Sequence, residues 1–317
     1  MKRFPLAIFA MALFALPVQA AEAIKIVVPF PAGGSTDSAA RVIADALMQV
    51  LPTDDFVVEN KFGGNGMIAG NDVLSANPAG SKLMMAGSGS LSSPFILPKE
   101  QRPDYSLKDF TPICGVGRFE VTIVVKTSSP FTNMKAVVAT ARQHPGVVTF
   151  AYGNSTNLTV PVQLEKVAGL ELNKVPFRSE TQILNAVLGG HISVGQLTNV
   201  VVAGNAKAGT VRVLAILSDK RSRFLPDVPT MTEVDENWAP FTPWVGLVGP
   251  ATMNPESAKR IADACVKVLA TDSVTKKLEG LGFEPMDAKV IGRDGFGNFM
   301  RVQYEQWQKI GKAVGLI

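Results

Sequence analysis

Twice along this chain a short β-branched run gives way to a loop of small polar residues and then to a helix with one apolar face. The first unit is Ile24-Lys25-Ile26-Val27-Val28, stopped by Pro29 and followed by Phe30-Pro31-Ala32-Gly33-Gly34-Ser35-Thr36-Asp37. The spacing of Ala39, Ala40, Val42, Ile43, Ala46, Leu47 and Val50 then predicts a helix over 38–51. The second unit is a strand over 147–152, the loop Gly153-Asn154-Ser155-Thr156-Asn157 and a helix over 158–168. Strand patterns at 56–59, 81–86, 121–125 and 211–217 and helix patterns at 67–77 and 183–188 continue the alternation. Such a chain is constrained to an α/β fold whose sheets are mixed, mainly parallel, and flanked by helices. Asn254-Pro255-Glu256 reads as a cap, a first-turn proline and an acidic first turn, opening a helix to 270. A last helix is expected over 292–314, carrying Phe296, Phe299, Met300, Val302, Trp307 and Ile310.

The two loops are the chemically informative segments. A Gly- or Ser-rich turn after a buried strand, opening a helix, presents backbone N–H groups and the positive helix end. That arrangement holds a carboxylate or phosphate without a cationic side chain. Asp37 fits either a place in such a loop or a plain helix cap. Two loops of one design suggest two lobes facing each other across a cleft.

The N-terminus reads as an export tag. Lys2 and Arg3 precede an apolar stretch from Phe4 to Leu16, and Val18-Gln19-Ala20 offers small residues for cleavage after Ala20. The apolar run is shorter than the roughly 20 residues a membrane span needs. Residues 1–20 are therefore expected to be a signal peptide and the mature protein periplasmic. The whole chain has 31 Lys+Arg against 27 Asp+Glu, but the tag removes two bases and no acid. What remains is nearly neutral and has no basic run, so nothing points to nucleic acid. Cys114 and Cys265 would both reach an oxidising compartment, where a disulfide is permitted. Their apolar surroundings, a strand-like run and a helix face, favour two buried thiols instead.

Catalytic and metal signatures are sparse. The chain has only two histidines, His144 and His191, and no cluster at metal-ligand spacing. Neither histidine sits in a setting that marks a serine triad. Gly64-Asn65-Gly66-Met67-Ile68-Ala69 fits a dinucleotide fingerprint, but it follows the second strand and no acid lies about 20 residues on to hold a ribose. Those glycines are better read as permitting a tight turn and close packing. No cofactor, no metal and no enzymatic activity are expected.

Pro29-Phe30-Pro31-Ala32-Gly33-Gly34-Ser35-Thr36-Asp37-Ser38-Ala39-Ala40-Arg41 resembles the N-terminal signature of the Bug-type, or tripartite tricarboxylate transporter, periplasmic solute-binding proteins. Val57-Val58-Glu59-Asn60-Lys61, Gly63-Gly64-Asn65-Gly66 and Asn77-Pro78-Ala79-Gly80 are similar to its next blocks. So are Val175-Pro176-Phe177, Leu188-Gly189-Gly190, Phe224-Leu225-Pro226-Asp227-Val228-Pro229-Thr230 and Trp244-Val245-Gly246-Leu247. The resemblance implies a type II-like periplasmic binding protein, two lobes joined by two hinge strands. Lobe one would hold 21–122 plus 241–317, and lobe two 123–240.

It further implies a monomer that closes on a small carboxylate and delivers it to a membrane permease of the tripartite type. Presentation to a sensor kinase is the alternative, and an exported hydrolase using Ser35 or Ser155 is a third. Carried over by position, Phe30, Ala32, Gly33, Gly34, Ser35, Thr36 and Asp37 would serve lobe one, with Ser88 and Gly89 on the same wall. Gly153, Asn154, Ser155, Thr156 and Asn157 would serve lobe two. Arg178 stands where the chain departs from the family, in Phe177-Arg178-Ser179, and would pair with a distal carboxylate. Leu158-Thr159-Val160-Pro161 replaces the usual His-Leu. The family's acids near Asn185 and Ser193 are absent, a loss that would suit a more anionic ligand such as a dicarboxylate.

Overall fold

The computed structural model describes residues 23–317, so the expected export tag and its cleavage position lie outside the described residues. β1 (Ile24–Val28) is buried along most of its length and runs into α1 (Ser35–Val50), whose Ala39, Ala40, Ile43, Ala46 and Leu47 pack on the sheet. β2 (Phe56–Asn60), α2 (Met67–Leu74), β3 (Lys82–Gly87), the short α3 (Ser88–Leu91) and β4 (Phe110–Arg118) follow. The chain then enters its second lobe. There it forms β5 (Val121–Lys126), α4 (Met134–Gln143), β6 (Thr149–Tyr152), α5 (Ser155–Ala168) and β7 (Asn173–Pro176). α6 (Glu180–Leu188), β8 (Val194–Thr198), α7 (Asn199–Lys207), β9 (Val211–Ile216) and α8 (Met231–Val234) complete that lobe. β10 (Trp244–Pro250) returns to the first sheet, followed by α9 (Pro255–Leu269), α10 (Asp272–Gly280), β11 (Glu284–Pro285), α11 (Ala288–Ile291) and α12 (Arg293–Val314).

The strands form two sheets, β11-β4-β10-β3-β1-β2 and β7-β6-β8-β5-β9. β1 pairs in parallel with β2 and β3, and β6 with β7 and β8. The other five pairings are antiparallel. The sheets are thus mixed, but not mainly parallel as the alternation suggested. β10 and β5, each entering its sheet straight from an interlobe crossing, run against the direction of the other long strands, and strand–helix counting does not see that reversal.

Two connections cross between the lobes, one at Phe119–Glu120 and the other returning to β10 through Phe241–Pro243. They touch, the Phe119 N–H donating to the Pro243 carbonyl at 3.1 Å. Asn199 ties lobe two to this hinge and to lobe one. Its side chain accepts from the Glu120 N–H at 3.0 Å and donates to the Gly282 carbonyl at 2.7 Å. α12 is a third link. Its first half packs Phe296 and Met300 with Trp244 in the first lobe, while Trp307 and Ile310 join Phe150, Val160 and Leu164 in the core of the second.

Cys114 on β4 and Cys265 on α9 are joined as a disulfide, with Cα atoms 6.3 Å apart, and are not two free thiols. The apolar setting of each was read correctly, since both are fully buried. What the sequence does not display is that α9 lies on β4 with these two positions opposed, inside the Cα range a disulfide spans. The glycines of 64–66 take the structural role expected of them. Gly64 and Gly66 have φ of +55° and +95°, and a Cβ on Gly66 would stand 2.7 Å from that of Ser90.

Candidate functional site

Each sheet ends, at the interlobe cleft, in the polar loop that follows its first parallel strand. In both cases the structure moves the helix start one turn earlier than the apolar periodicity placed it, to Ser35 and to Ser155. The small polar residues are therefore the first helical turns themselves. Their N–H groups are the orphan donors that an α-helix leaves at its start.

The two turns differ in how they are capped. In lobe two, Asn154 is the N-cap and its side chain accepts from the Asn157 N–H at 3.0 Å. In lobe one the N-cap is Gly34, which has no side chain to offer. Asp37 does not face the cleft. Its buried carboxylate accepts from the Gly33 N–H at 3.0 Å, from the Arg41 guanidinium at 3.0 Å on each oxygen, and from Asn60 Nδ2 at 2.9 Å. Burial alone would raise the Asp37 carboxyl, but the Arg41, Gly33 and Asn60 hydrogen bonds together hold it below its ordinary value. Asn60 also donates to the Phe30 carbonyl at 3.0 Å, so this cluster fixes the loop from behind and leaves the α1 terminus pointing at the cleft.

The cleft encloses about 710 Å³ and opens to solvent. Lobe one supplies Phe30, Pro31, Gly34, Ser35, Thr36, Gly87 and Gly89, and lobe two supplies Gly153, Asn154, Asn157 and Arg178. Ala32, Gly33, Asp37 and Ser88 are not on its wall. Ser88 instead accepts from the Trp244 N–H at 3.2 Å, bracing β10 against α3. Ser155 and Thr156 open α5, while their side chains lie outside the described residues. Arg178 is exposed at the mouth, where a second depression of about 670 Å³ runs on past Phe62 and Gly63–Gly66. It forms no ion pair among the described residues.

Phe119, Pro243, Ser179, Glu180, Thr181 and Thr198 also line the cleft, and no motif marks them. The one local signal is Ser179-Glu180-Thr181-Gln182, which reads as a helix start. Ser179 indeed caps α6, accepting from the Gln182 N–H at 3.2 Å. Among the described residues Glu180 is the only acid on the cleft wall. Its Oε1 accepts from the Thr198 N–H at 2.9 Å and its Oε2 from the Thr198 hydroxyl at 3.2 Å. Burial raises the Glu180 carboxyl, opposed chiefly by the hydrogen bonds from Thr198. Among the described residues there is no cluster of side chains that could hold a metal ion and no helix long and apolar enough to cross a membrane.

The arrangement is one helix terminus with uncapped donors, a second facing it, aromatic walls from Phe30 and Phe119, and a guanidinium at the rim. That suits a small anion with an apolar body.

Known proteins carry the same architecture. The solved periplasmic binding protein BugD is 25% identical and superimposes with a TM-score of 0.83, covering 92% of this chain and 97% of its own. MatC from Rhodopseudomonas palustris, solved with bound malate, gives 0.83 at 22% identity over 93% and 100%. Rpa4515 of R. palustris, solved with adipate, gives 0.84 at 24% over 92% and 97%. Among curated relatives, Protein BugT of Bordetella pertussis is 26% identical over 308 residues, 95% of this chain and 93% of its own. The UPF0065 protein in the gbd 5′ region of Cupriavidus necator is 28% identical over 285 residues, 87% and 85%. The model of the tripartite tricarboxylate transporter family receptor matches residues 39–316. The chain belongs to that receptor family and has the two-lobed fold of its periplasmic binding proteins.

Proposed function

We propose that the mature chain is a periplasmic solute-binding protein that captures a small carboxylate between its lobes and delivers it to a membrane permease of the tripartite type. The observation that carries this reading is the uncapped first turn of α1 facing the first turn of α5 across one cleft. A carboxylate there gains backbone donors from a fixed helix end, and closure of the lobes removes water from both. The adipate and malate in two solved neighbours support the ligand class. Arg178, free of ion pairs at the rim, suits the far end of a dicarboxylate. Ser35 lines the cleft at the start of α1, and among the described residues no histidine stands on the wall to activate a serine, so binding is favoured over hydrolysis.

The test is calorimetry and thermal unfolding of the full mature protein with acetate, succinate, malate, adipate and citrate. Ligand at about 100 times its dissociation constant adds about 2.7 kcal/mol to the folded state. A protein whose unfolding none of these acids shifts, with no heat of binding, does not have this function. N-terminal sequencing of protein exported by its own leader checks cleavage after Ala20.

A further inference from the structure

We infer that Glu180 is a built-in occupant of the lobe-one anion cradle, competing with the ligand's carboxylate for the start of α1 and so setting how tightly the cleft holds its ligand. The inference rests on the carboxylate reading of the cleft and goes beyond it by assigning one side chain the role of internal competitor.

Three observations lead there. First, α1 has an N-terminus that its own neighbourhood does not cap. Gly34 has no side chain, and the one nearby carboxylate, Asp37, is turned back onto Gly33, Arg41 and Asn60. α5, by contrast, carries its own cap in Asn154. Second, the acceptor that reaches α1 comes from the other lobe. The Glu180 carboxylate stands against the α1 start, where a Cβ built on Gly34 would lie 3.7 Å from its Oε2, and both residues line the same cleft. Third, Glu180 is anchored independently of lobe one. Thr198 holds both carboxylate oxygens, from a buried position at the end of β8. Opening the lobes therefore leaves Glu180 in place on lobe two and exposes the α1 terminus.

Among the described residues no Lys or Arg pairs with Glu180, so its charge meets only neutral donors. A ligand carboxylate seated on the α1 terminus would share that terminus with a second carboxylate. Like charges a few ångströms apart repel. The ligand either displaces Glu180 from the α1 start or binds against its field, and both weaken capture. The same contact links the lobes without ligand, so it also favours a closed empty form. Lobe two, lacking acids near Asn185 and Ser193, nevertheless places one acid in the cleft, contributed by the start of α6.

The experiment compares the full mature protein with Glu180→Gln and Glu180→Gly. Calorimetry against acetate, succinate and citrate reads affinity, and small-angle scattering of ligand-free protein reads closure. Gln keeps an oxygen for the Thr198 N–H but loses the charge, and Gly removes the side chain should Gln disturb folding. Thermal unfolding identifies a misfolded variant. The expected result is about tenfold tighter binding of the best acid, 1.4 kcal/mol, with a larger radius of gyration for the empty variants. Wild-type binding that both variants match or weaken overturns the Glu180 role while leaving the carboxylate reading intact. Weaker binding would make Glu180 a direct ligand contact. If neither wild type nor variant binds any acid, the carboxylate reading fails and this one with it.

Discussion

The disulfide between Cys114 and Cys265 closes a loop of 151 residues, and its removal is the perturbation whose size the structure fixes best. In the chain-entropy account a cross-link stabilises by restricting the unfolded ensemble, and a loop of that length corresponds to about 5 kcal/mol. Native disulfides removed from other proteins cost about 2–5 kcal/mol, so that figure is an upper value. Unfolding roughly 300 residues as one unit carries about 0.6 kcal/mol/K of entropy, which converts the range to a fall in Tm of about 3–8 °C. The cleanest comparison is wild type refolded in reductant against wild type refolded in air, because only the bond differs. A Cys114→Ala, Cys265→Ala pair adds a packing loss and should fall further. Both sulfurs are fully buried, so a mild reductant added to folded protein should leave the bond intact until the chain unfolds.

The location of the bond makes a second, independent demand. It joins β4 to α9, both within the first lobe, and neither cysteine lines the cleft. Loss of the bond should therefore lower Tm while leaving carboxylate affinity within about twofold, since 1.4 kcal/mol is needed for tenfold. The decisive assay is thiol titration in denaturant without reductant. No titrating thiol is expected from protein recovered from an oxidising compartment. Two thiols would refute the pairing outright, and a Tm identical in both redox states would refute the magnitude.

Three further outcomes follow from particular contacts. Gly66→Ala forces a Cβ to within 2.7 Å of the Ser90 Cβ at a φ of +95°, and should cost about 2–4 kcal/mol by urea unfolding; a loss under about 0.5 kcal/mol would show that Ser90 and the loop yield freely. Asp37→Asn keeps the shape but removes the charge shared with Arg41, and should cost about 2 kcal/mol at pH 7. Because the folded Asp37 carboxyl lies below its ordinary value of 3.8, its stabilisation is full above that pH and lost as pH falls below it. Wild type and variant should therefore draw together in stability as the pH falls, and a gap that does not shrink at all between pH 5 and pH 2 would sink the linkage. Arg178→Ala should weaken a dicarboxylate by about tenfold and a monocarboxylate little, as calorimetry reads, with equal effects on both excluding a distal role.

Much of the fold was legible because its signals are local. β1, β2 and β3 are short apolar runs, and α1 and α9 show their buried faces directly in the spacing of alanine, isoleucine and valine. The Asn254 cap with Pro255 behind it is drawn in the structure as in the sequence, accepting from the Glu256 and Ser257 N–H groups at 2.9 and 3.1 Å. Elements without such signals were missed. α10 buries only Val274 and Leu278, a single i, i+4 pair. β10 is interrupted by Gly246 and Gly249, which weaken a strand pattern locally, whereas the run around Cys114 in β4 reads as strand-like despite Gly115 and Gly117. At Gly246 the absent side chain is required at long range, since a Cβ there would meet the Phe296 ring at 2.3 Å.

The site divides along the same line. That Gly34, Ser35, Asn154 and Asn157 face a cleft could be read from strand–loop–helix order, because a helix start after a parallel strand must lie at that edge of the sheet. That Asp37 would be spent on Arg41 was available too, as an i, i+4 pair, but it competed with a functional reading of the same residue. Glu180 could not be found this way. Nothing in Ser179-Glu180-Thr181-Gln182 distinguishes an acid that favours its own helix start from one that reaches the helix start of the other lobe. Which it does depends on Thr198 holding the carboxylate at the end of β8 and on α1 having glycine as its cap, three separate segments brought together by closure. Counting acids along lobe two therefore overlooks Glu180, which shares the cleft wall with Arg178. Absences at Asn185 and Ser193 are visible in one dimension, whereas the carboxylate that stands in the cleft becomes part of the site only when the lobes meet.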